Sequence, residues 1–390
     1  MYIVRFWYRY LGLFLAVLTL SCGHASKTVA ASAPVDRLLR PTPRDRYADD
    51  VGRFLAGLPA KAGSQLADLQ NEKAWTKHRD ELDLAWGRME REPLPAMRAF
   101  RTGELNVDPV CSAPVFYPFS GPDALMVTVF FPRSPTYVLV GLEPAGTLPA
   151  PRQLARKNLA AYLANVRTTV ASELGRSFFI TRQMDHQFRG QVTDGLLLPI
   201  LELLVRTNHT ILGFRYVRLD EAGQIIERTL DYHAPGKIGN KGVEIDFQAD
   251  DDQSVHKLLY FAVNLSDQSI EDNGPFQCFL SRLKGTVTFL KATSYMIHKP
   301  EFSMIREHVL SKSIAVLQDD SGIPYRFYAA PPWRVQLYGD YVRPYGSFRY
   351  LQQPDLRKAY LTSGPRPLTF RIGYGYGRIP SNLLFARRSD

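Results

Sequence analysis

The sequence lacks every complete catalytic or metal-binding signature that residue spacing can reveal. No serine stands in a Gly-x-Ser-x-Gly elbow, so a hydrolase nucleophile of that type is not predicted. The 8 histidines follow no ligand spacing typical of zinc, and no metal site is predicted from them. There is also no internal repeat of the length that solenoids and propellers require. The sequence therefore predicts a subcellular location, a fold class and a set of candidate ligand residues. It assigns neither catalytic residues nor a cofactor.

Long hydrophobic runs are also missing. Residues 11–20 form an apolar run that is shorter than the roughly 20 residues of a membrane-spanning helix. Arg5 and Arg9 precede this run and small residues follow it, which is the pattern of a secretory signal peptide. We therefore expect residues 1–22 to be a signal segment and residues 23–44, which are rich in proline, to be a tether.

The signal segment ends in LTLSC, which resembles the lipobox of bacterial lipoproteins. The resemblance implies that Cys22 is diacylated and becomes the N-terminal residue. It departs from the usual pattern because Thr19 stands where leucine is typical. Ordinary cleavage near Ala25 or Ala30 is the alternative. A lipidated Cys22 would anchor the protein to a membrane of the bacterial envelope, at the periplasmic face or on the cell surface.

Cysteine is scarce, with 3 residues in 390. Once Cys22 is set aside, Cys111 and Cys278 remain in a compartment that permits disulfides. The sequence leaves two alternatives open, one disulfide between them or two buried thiols, because their separation in space is not encoded in their spacing.

Strand and helix patterns alternate through much of the chain, which predicts an α/β fold with a mainly parallel, Rossmann-like sheet. We expect a helical lead-in at residues 45–105, an α/β core at residues 106–330 and a β segment at residues 331–390. Trp75 and Trp86 recur at helical spacing with apolar neighbours, so we interpret them as core contacts.

The central stretch is residues 115–146, where two apolar runs each end in small and acidic residues. The first run ends in SGPD and the second in GLEP. In doubly wound sheets, ligands bind beyond the carboxyl ends of the strands, and a glycine turn followed by an acidic residue about 20 positions later binds a nucleoside. Gly121 and Glu143 are 22 positions apart. The candidate ligand residues here are Ser120, Gly121, Asp123 and Glu143.

This stretch resembles a degenerate form of the Rossmann-like methyltransferase pattern. The resemblance implies that Glu143 binds the ribose of S-adenosylmethionine. SGPD replaces the usual Gly-x-Gly, and Pro122 removes one backbone donor. Export also separates the protein from cytoplasmic cofactors.

Asp319 and Asp320 also follow a predicted strand, at residues 314–318. If the strands are parallel, these carboxylates share an edge with Asp123 and Glu143. Such a cleft would bind a divalent cation or contain one acid of raised pKa. The alternative is a simple turn in which the aspartates accept hydrogen bonds from nearby backbone amides.

Positive charge is in excess, with a formal net charge of +10. Residues 331–390 contain ten Arg or Lys against three Asp or Glu, with tyrosines between them. A basic, aromatic surface suits anionic polymers. Outside the cytoplasm these are acidic polysaccharides or lipid headgroups rather than nucleic acid. The alternative is a basic face that only keeps the protein soluble, since a high pI is common among exported proteins.

Four strings, YPFSGPD, YVLVGLEPAG, LKATSYMIH and QDDSGIPYRFY, resemble a family of uncharacterised bacterial exported proteins and lipoproteins. That resemblance implies that the protein is exported, and it implies no activity. The leading hypothesis is a non-catalytic, lipid-anchored envelope protein that binds an anionic ligand or partner. The alternative is an enzyme with a carboxylate-lined site at the strand ends, either a cation-dependent hydrolase or a degenerate methyltransferase-like transferase.

Overall fold

A computed structural model describes residues 42–156, 158–176, 195–228, 240–344, 346–375 and 381–389. The predicted signal segment, Cys22 and nearly all of the tether lie outside the described residues, as does a strand predicted at residues 178–180. Among the helices of the described ranges, none combines the length and the apolar character needed to cross a bilayer.

The fold is built on one sheet of ten strands in the order β4-β3-β5-β6-β2-β1-β7-β8-β10-β9. The five central strands, β6-β2-β1-β7-β8, are parallel to one another. All five remaining pairings, at the two flanks, are antiparallel. The sheet is therefore mixed, and the prediction of a mainly parallel sheet is correct only for its centre. The strands are β1 (Val115–Pro118), β2 (Thr136–Gly141), β3 (His209–Leu219), β4 (Ile225–Glu227), β5 (Lys241–Ala249), β6 (Val255–Ala262), β7 (Thr286–Leu290), β8 (Ser313–Gln318), β9 (Trp333–Gly339) and β10 (Asn382–Arg388).

Helices cover both faces of the sheet because the central strands are apolar on both sides. Tyr117 and Leu139 pack into one hydrophobic cluster, whereas Phe116 and Val140 pack into a second one, as the two-residue period of a strand requires. The first face packs against α1 (Pro43–Leu55), α2 (Lys73–Arg91), α3 (Pro93–Phe100), α4 (Ala124–Phe130), α5 (Pro151–Arg156), α6 (Leu159–Arg176) and α7 (Leu197–Arg206). The second face packs against α8 (Asp267–Glu271), α9 (Gly274–Arg282), α10 (Ser303–Lys312) and α11 (Pro354–Thr362).

The helical lead-in is present, and it supports the sheet directly. Helix α1 begins with a capping box between Thr42 and Asp45. Asp45 also accepts a hydrogen bond from the backbone amide of Phe214 at 2.7 Å, and Asp49 accepts one from the amide of Ile211 at 2.9 Å. The register of β3 shifts between Ile211 and Gly213, so these carboxylates satisfy amides beside a bulge.

Two further predictions for this half of the chain are confirmed. Trp75 and Trp86 are buried in the core, and the indole of Trp75 donates to the carbonyl of Phe54 at 3.0 Å. Residues 196–205 are apolar nearly all round, with Glu202 as the exception, which predicts a buried helix; every residue of helix α7 is indeed buried.

The C-terminal segment differs from the prediction of a basic, tyrosine-rich β segment packed on the core. Its strands β9 and β10 belong to the main sheet, and α11 lies between them in the sequence. Tyr338 and Tyr360 are buried, whereas Tyr350 is 73% exposed. Two of the tyrosines that were expected to form a binding surface therefore stabilise the core instead.

Candidate functional site

A cavity of about 280 Å³ opens at the carboxyl ends of β1, β2, β6 and β7. The chain that leaves β1 covers the first face of the sheet, and the chain that leaves β7 covers the second. The order of the strands thus reverses between β1 and β7, and this reversal creates the crevice in which open α/β sheets bind ligands. The polar side chains that line the cavity are Ser120, Asp123, Glu143, Asn264, Lys291, Thr293 and Ser294.

The turn after β1 is closed by its own residues. The amide of Ser120 donates to the carbonyl of Val140 at 2.9 Å, and Gly121 adopts φ 54, a conformation that favours glycine. Asp123 caps α4, since its Oδ1 accepts from the amide of Met126 at 3.2 Å. Pro122 has no N–H. Ser120 and Pro122 of this turn therefore offer no free amide to a phosphate group.

Asp123 forms a buried ion pair with Lys291 beneath the cavity. Lys291 Nζ lies 2.6 Å from Asp123 Oδ2, and the two side chains are 2% and 1% exposed. The hydroxyl of Tyr117 donates to the same carboxylate oxygen at 3.0 Å. These contacts occupy Asp123 and leave it poorly placed to act as a catalytic base. The prediction omitted Lys291, although a lysine directly after the apolar strand β7 was a usable signal.

Glu143 is the carboxylate of the cavity that remains available. It follows β2, is half-buried and lines the cavity, while its backbone carbonyl accepts a hydrogen bond from Tyr260 at 2.6 Å. Within the described part of the chain, the side chain of Glu143 forms no hydrogen bond or ion pair. Because Lys291 offsets Asp123, Glu143 gives the cavity lining a net negative charge.

Strained backbone is concentrated around this cavity. Within the described ranges, five non-glycine residues have positive φ, and four of them are Phe119, Ala292, Ser294 and Tyr295. Each such conformation costs roughly 1–2 kcal/mol for an L-residue. Phe119, Ala292 and Ser294 line the cavity. Strain of this kind tends to cluster at functional sites, where the surrounding structure maintains it.

The turn of residues 292–295 is held in place by Tyr374. The Tyr374 hydroxyl donates to the carbonyl of Ala292 at 3.0 Å and accepts from the amide of Ser294 at 3.0 Å. The tyrosine ring also stacks on Tyr295, with a centroid separation of 6.0 Å. The C-terminal segment thus fixes one wall of the cavity.

Asp319 and Asp320 lie at the same edge of the sheet but behind this turn, and neither lines the cavity. Asp319 accepts from the amide of Ala292 at 2.8 Å and from the amide and hydroxyl of Ser321. Asp320 accepts from the hydroxyl of Tyr295. The four predicted carboxylates therefore divide into two that reach the cavity and two that support its wall. The alternative interpretation of Asp319, as a turn aspartate that binds nearby amides, matches this geometry.

Burial changes the protonation of the aspartate pair. Asp319 is 2% exposed and Asp320 is 6% exposed. Burial, together with the neighbouring charge of Asp319, raises the pKa of Asp320 to about 7. Burial also raises the pKa of Asp319. In the described ranges, no group of three or more His, Cys, Asp or Glu side chains could hold a metal ion, so the cation-binding alternative gains no support.

The two remaining cysteines are thiols, so the disulfide alternative is not the one that the structure contains. The Cys111 thiol donates to Asp108 Oδ1 at 3.1 Å and contacts Arg133. Burial raises its pKa, with a further contribution from Asp108.

Comparison of the chain with models of protein families, with characterised proteins and with solved structures gave no match. The resemblance to exported bacterial proteins, drawn from four sequence strings, therefore stays a prediction. The fold is established at the level of an α/β protein with a mixed sheet of ten strands.

Proposed function

We propose that the cavity binds a small neutral or cationic molecule that carries two neighbouring hydroxyl groups, as nucleosides and many sugars do. The observation that carries this proposal is the carboxylate of Glu143 at the end of β2, which no group of the described residues pairs and which lies in the same cavity as the Gly121 turn. A carboxylate has two acceptor oxygens and can accept from both hydroxyls of a diol. An acidic residue in this position binds ribose hydroxyls in doubly wound folds.

Charge argues against an anionic ligand in this cavity. Glu143 is not offset by a cation of the lining, and in the turn after β1 neither Ser120 nor Pro122 has a free amide for a phosphate group. The volume of about 280 Å³ lies near the lower limit of the roughly 300–1,000 Å³ typical of ligand pockets. A nucleoside or a monosaccharide fits these properties better than a dinucleotide.

The strand order favours the nucleoside among these ligands. If the flanking strands β3, β4 and β5 are set aside, the order becomes β6-β2-β1-β7-β8-β10-β9, with β10 antiparallel to both neighbours. Numbered along the chain, this is 3-2-1-4-5-7-6, the order of Rossmann-like methyltransferases. The sulfonium group of S-adenosylmethionine is cationic, and it would suit the negative lining. This likeness concerns the fold, and fold alone does not transfer an activity.

Binding rather than catalysis is proposed because Asp123 is engaged by Lys291, Tyr117 and the amide of Met126. A degenerate transferase is the enzymatic form of the same proposal. Export and lipid attachment at Cys22 are proposed from the sequence and do not depend on the cavity.

The test is calorimetric titration of the full chain with adenosine, 2′-deoxyadenosine, S-adenosylmethionine and methyl mannoside, and with AMP as the anionic comparator. We expect adenosine or the mannoside to bind, and AMP to bind more weakly than adenosine. Removing one diol hydroxyl in 2′-deoxyadenosine should weaken binding about tenfold, equivalent to about 1.4 kcal/mol. The two diol classes are distinguished by which of them binds.

Glu143→Gln should weaken the same ligand about tenfold or more, whereas Glu221→Gln, at an exposed turn, should bind like the unmodified protein. The proposal fails if none of the diols binds. It also fails if AMP binds more tightly than adenosine, or if Glu143→Gln leaves the affinity unchanged.

A further inference from the structure

A second cavity lies at the opposite edge of the sheet. It also has a volume of about 280 Å³, and it is lined by residues that precede β1 and β2 together with the end of α4. Its polar lining is basic, because Arg101 and Arg133 both contribute and no Asp or Glu does. Phe130, Leu105 and Pro132 provide an apolar wall.

Neither arginine forms an ion pair with a carboxylate of the described residues. Arg133 donates to Asn106 Oδ1 at 2.7 Å and contacts the sulfur of Cys111. Arg101 donates to the carbonyl of Val129 at 3.4 Å. Two guanidinium groups are therefore held near each other without a counter-ion at ion-pair distance.

The pKa of Arg101 also reflects the positive charges that lie near it. Burial lowers its pKa, and the neighbouring charges of Arg98 and Arg133 lower it further. Asp251 acts on it in the opposite direction, without forming an ion pair. Arg98 is itself paired with Glu90 at 2.8 Å.

The backbone that carries Arg101 is unusual. Residues Arg101–Leu105 form a π-helical turn, a rare conformation that is frequent at functional sites. Arg101 and Leu105 of this turn line the cavity, whereas Glu104 bonds to the hydroxyl of Tyr338 at 2.6 Å and pairs with Arg366 at 2.6 Å. The one carboxylate of the turn is thus engaged by the C-terminal segment, and the cavity keeps its positive charge.

We propose that this cavity binds a small organic oxyanion, a carboxylate or a phosphate group, between Arg101 and Arg133. Planar guanidinium groups bind such oxyanions through paired N–H donors. The amide group of Asn106 lies beside them as a further donor, and the apolar wall suits a short hydrocarbon part of the ligand. This site is separate from the proposed diol site, and neither depends on the other.

The test uses the full chain with inorganic phosphate, acetate and benzoate, each compared with chloride at equal ionic strength. We expect at least one of the three to raise the unfolding temperature in a saturable manner, because a ligand that binds the folded state stabilises it. The anion that saturates the response at the lowest concentration shows whether the site prefers phosphate or carboxylate. Benzoate, compared with acetate, tests whether the apolar wall contributes to binding.

Arg101→Gln and Arg133→Gln should each raise the concentration at half saturation tenfold or more. Arg133→Lys keeps the positive charge and loses the paired N–H donors of the guanidinium group, so it should weaken binding less than Arg133→Gln does. It also remains informative if Arg133→Gln does not fold. Arg349→Gln, at an exposed position, is the matched control and should leave the response unchanged. Equal responses in all four variants, or no saturable response to any of the three anions, would overturn the proposal.

Discussion

Two groups of buried carboxylates lie at the same edge of the sheet, and the protein compensates their charge in different ways. Asp123, after β1, pairs with Lys291 at 2.6 Å. Asp319 and Asp320, after β8, have no cation at ion-pair distance among the described residues and instead accept hydrogen bonds from amides and hydroxyls. The first arrangement borders a cavity, and the second holds the wall of that cavity in a strained conformation.

An acidic residue at a strand end is therefore not by itself a ligand residue. The residues after the neighbouring strand decide its role. Lys291 comes directly after β7 and reaches Asp123, while the next residues turn sharply and cover Asp319. Glu143 has neither a cation nor a covering turn, and for that reason it is the carboxylate on which we base the proposed function.

Among the substitutions that test how the two carboxylate groups are compensated, Lys291→Met should lower the free energy of unfolding most. It leaves Asp123 buried without its cation. Removing one partner of a buried ion pair typically costs about 3–5 kcal/mol. Lys291 also acts favourably on the charge of Asp319, so both carboxylate groups would be affected. Urea denaturation followed by circular dichroism measures the change in the free energy of unfolding.

The control for this substitution is a double-mutant cycle with Asp123→Leu. Since the double variant leaves no unpaired buried charge, we expect its loss of stability to be smaller than the sum of the two single losses. Strictly additive losses would contradict the importance of the ion pair.

The second prediction concerns pH and tests the aspartate pair. Burial and Asp319 raise the pKa of Asp320 from 3.8 to about 7. Between these two values the folded protein holds a proton that the unfolded chain has released, so the contribution of Asp320 to the free energy of unfolding falls as pH rises through this window. Buried His78, His209, His298 and His308, whose pKa burial lowers to about 4, contribute in the opposite direction, so the quantity to compare is the difference in slope between the unmodified protein and Asp320→Asn. Urea denaturation at several pH values between about 4 and 8 measures the slope.

Asp320→Asn should remove the falling contribution and make the slope of the free energy of unfolding against pH more positive, because the side chain no longer titrates. Asp68→Asn removes an exposed carboxylate and should leave the slope as it is. The explanation is wrong if Asp320→Asn retains the full slope.

The smallest difference in stability is expected for a substitution at Gly373, which affects only its immediate surroundings. This glycine has φ 60, and a Cβ there would lie 2.1 Å from Asp319 Oδ2. Gly364 has φ 61 and no atom within 4 Å of the same position, which makes it a matched control. Gly364→Ala should cost only the conformational penalty of roughly 1–2 kcal/mol.

Gly373→Ala should cost about 1–3 kcal/mol more than this control, because Asp319 must move away from the amide of Ala292. The comparison is made by urea denaturation at a pH where Asp320 is protonated, about 5. Equal losses at the two glycines would show that Asp319 is free to move and does not hold the turn.

Much of the parallel centre could be predicted because its signals are local. The apolar runs that become β1 and β2 each end in turn residues, and parallel strands place their carboxyl ends together, which brings Gly121 and Glu143 into one cavity. The burial of helix α7 could also be predicted from its sequence, since residues 196–205 are apolar except for Glu202.

The remainder depends on contacts between distant residues, which local patterns do not encode. Lys291 and Asp123 are far apart in the sequence, and nothing near Lys291 indicates its partner. Asp320 could not be assigned to the wall of the cavity without the hydrogen bond from Tyr295. The buried Tyr338 and Tyr360 looked like surface residues because arginines surround them in the sequence, although the strand and helix that contain them direct their rings into the core.

The position of β10 has a consequence for the order in which the protein can form. Strand β10 pairs with β8 on one side and with β9 on the other, and β8 and β9 do not pair with each other. During synthesis, this side of the sheet therefore waits until residues 382–388 have left the ribosome. Until then β8 presents an unpaired edge, and pairings between segments so distant in sequence form slowly. The interval in which β8 is exposed to aggregation and proteolysis is therefore set by the formation of β10, the last strand of the described residues.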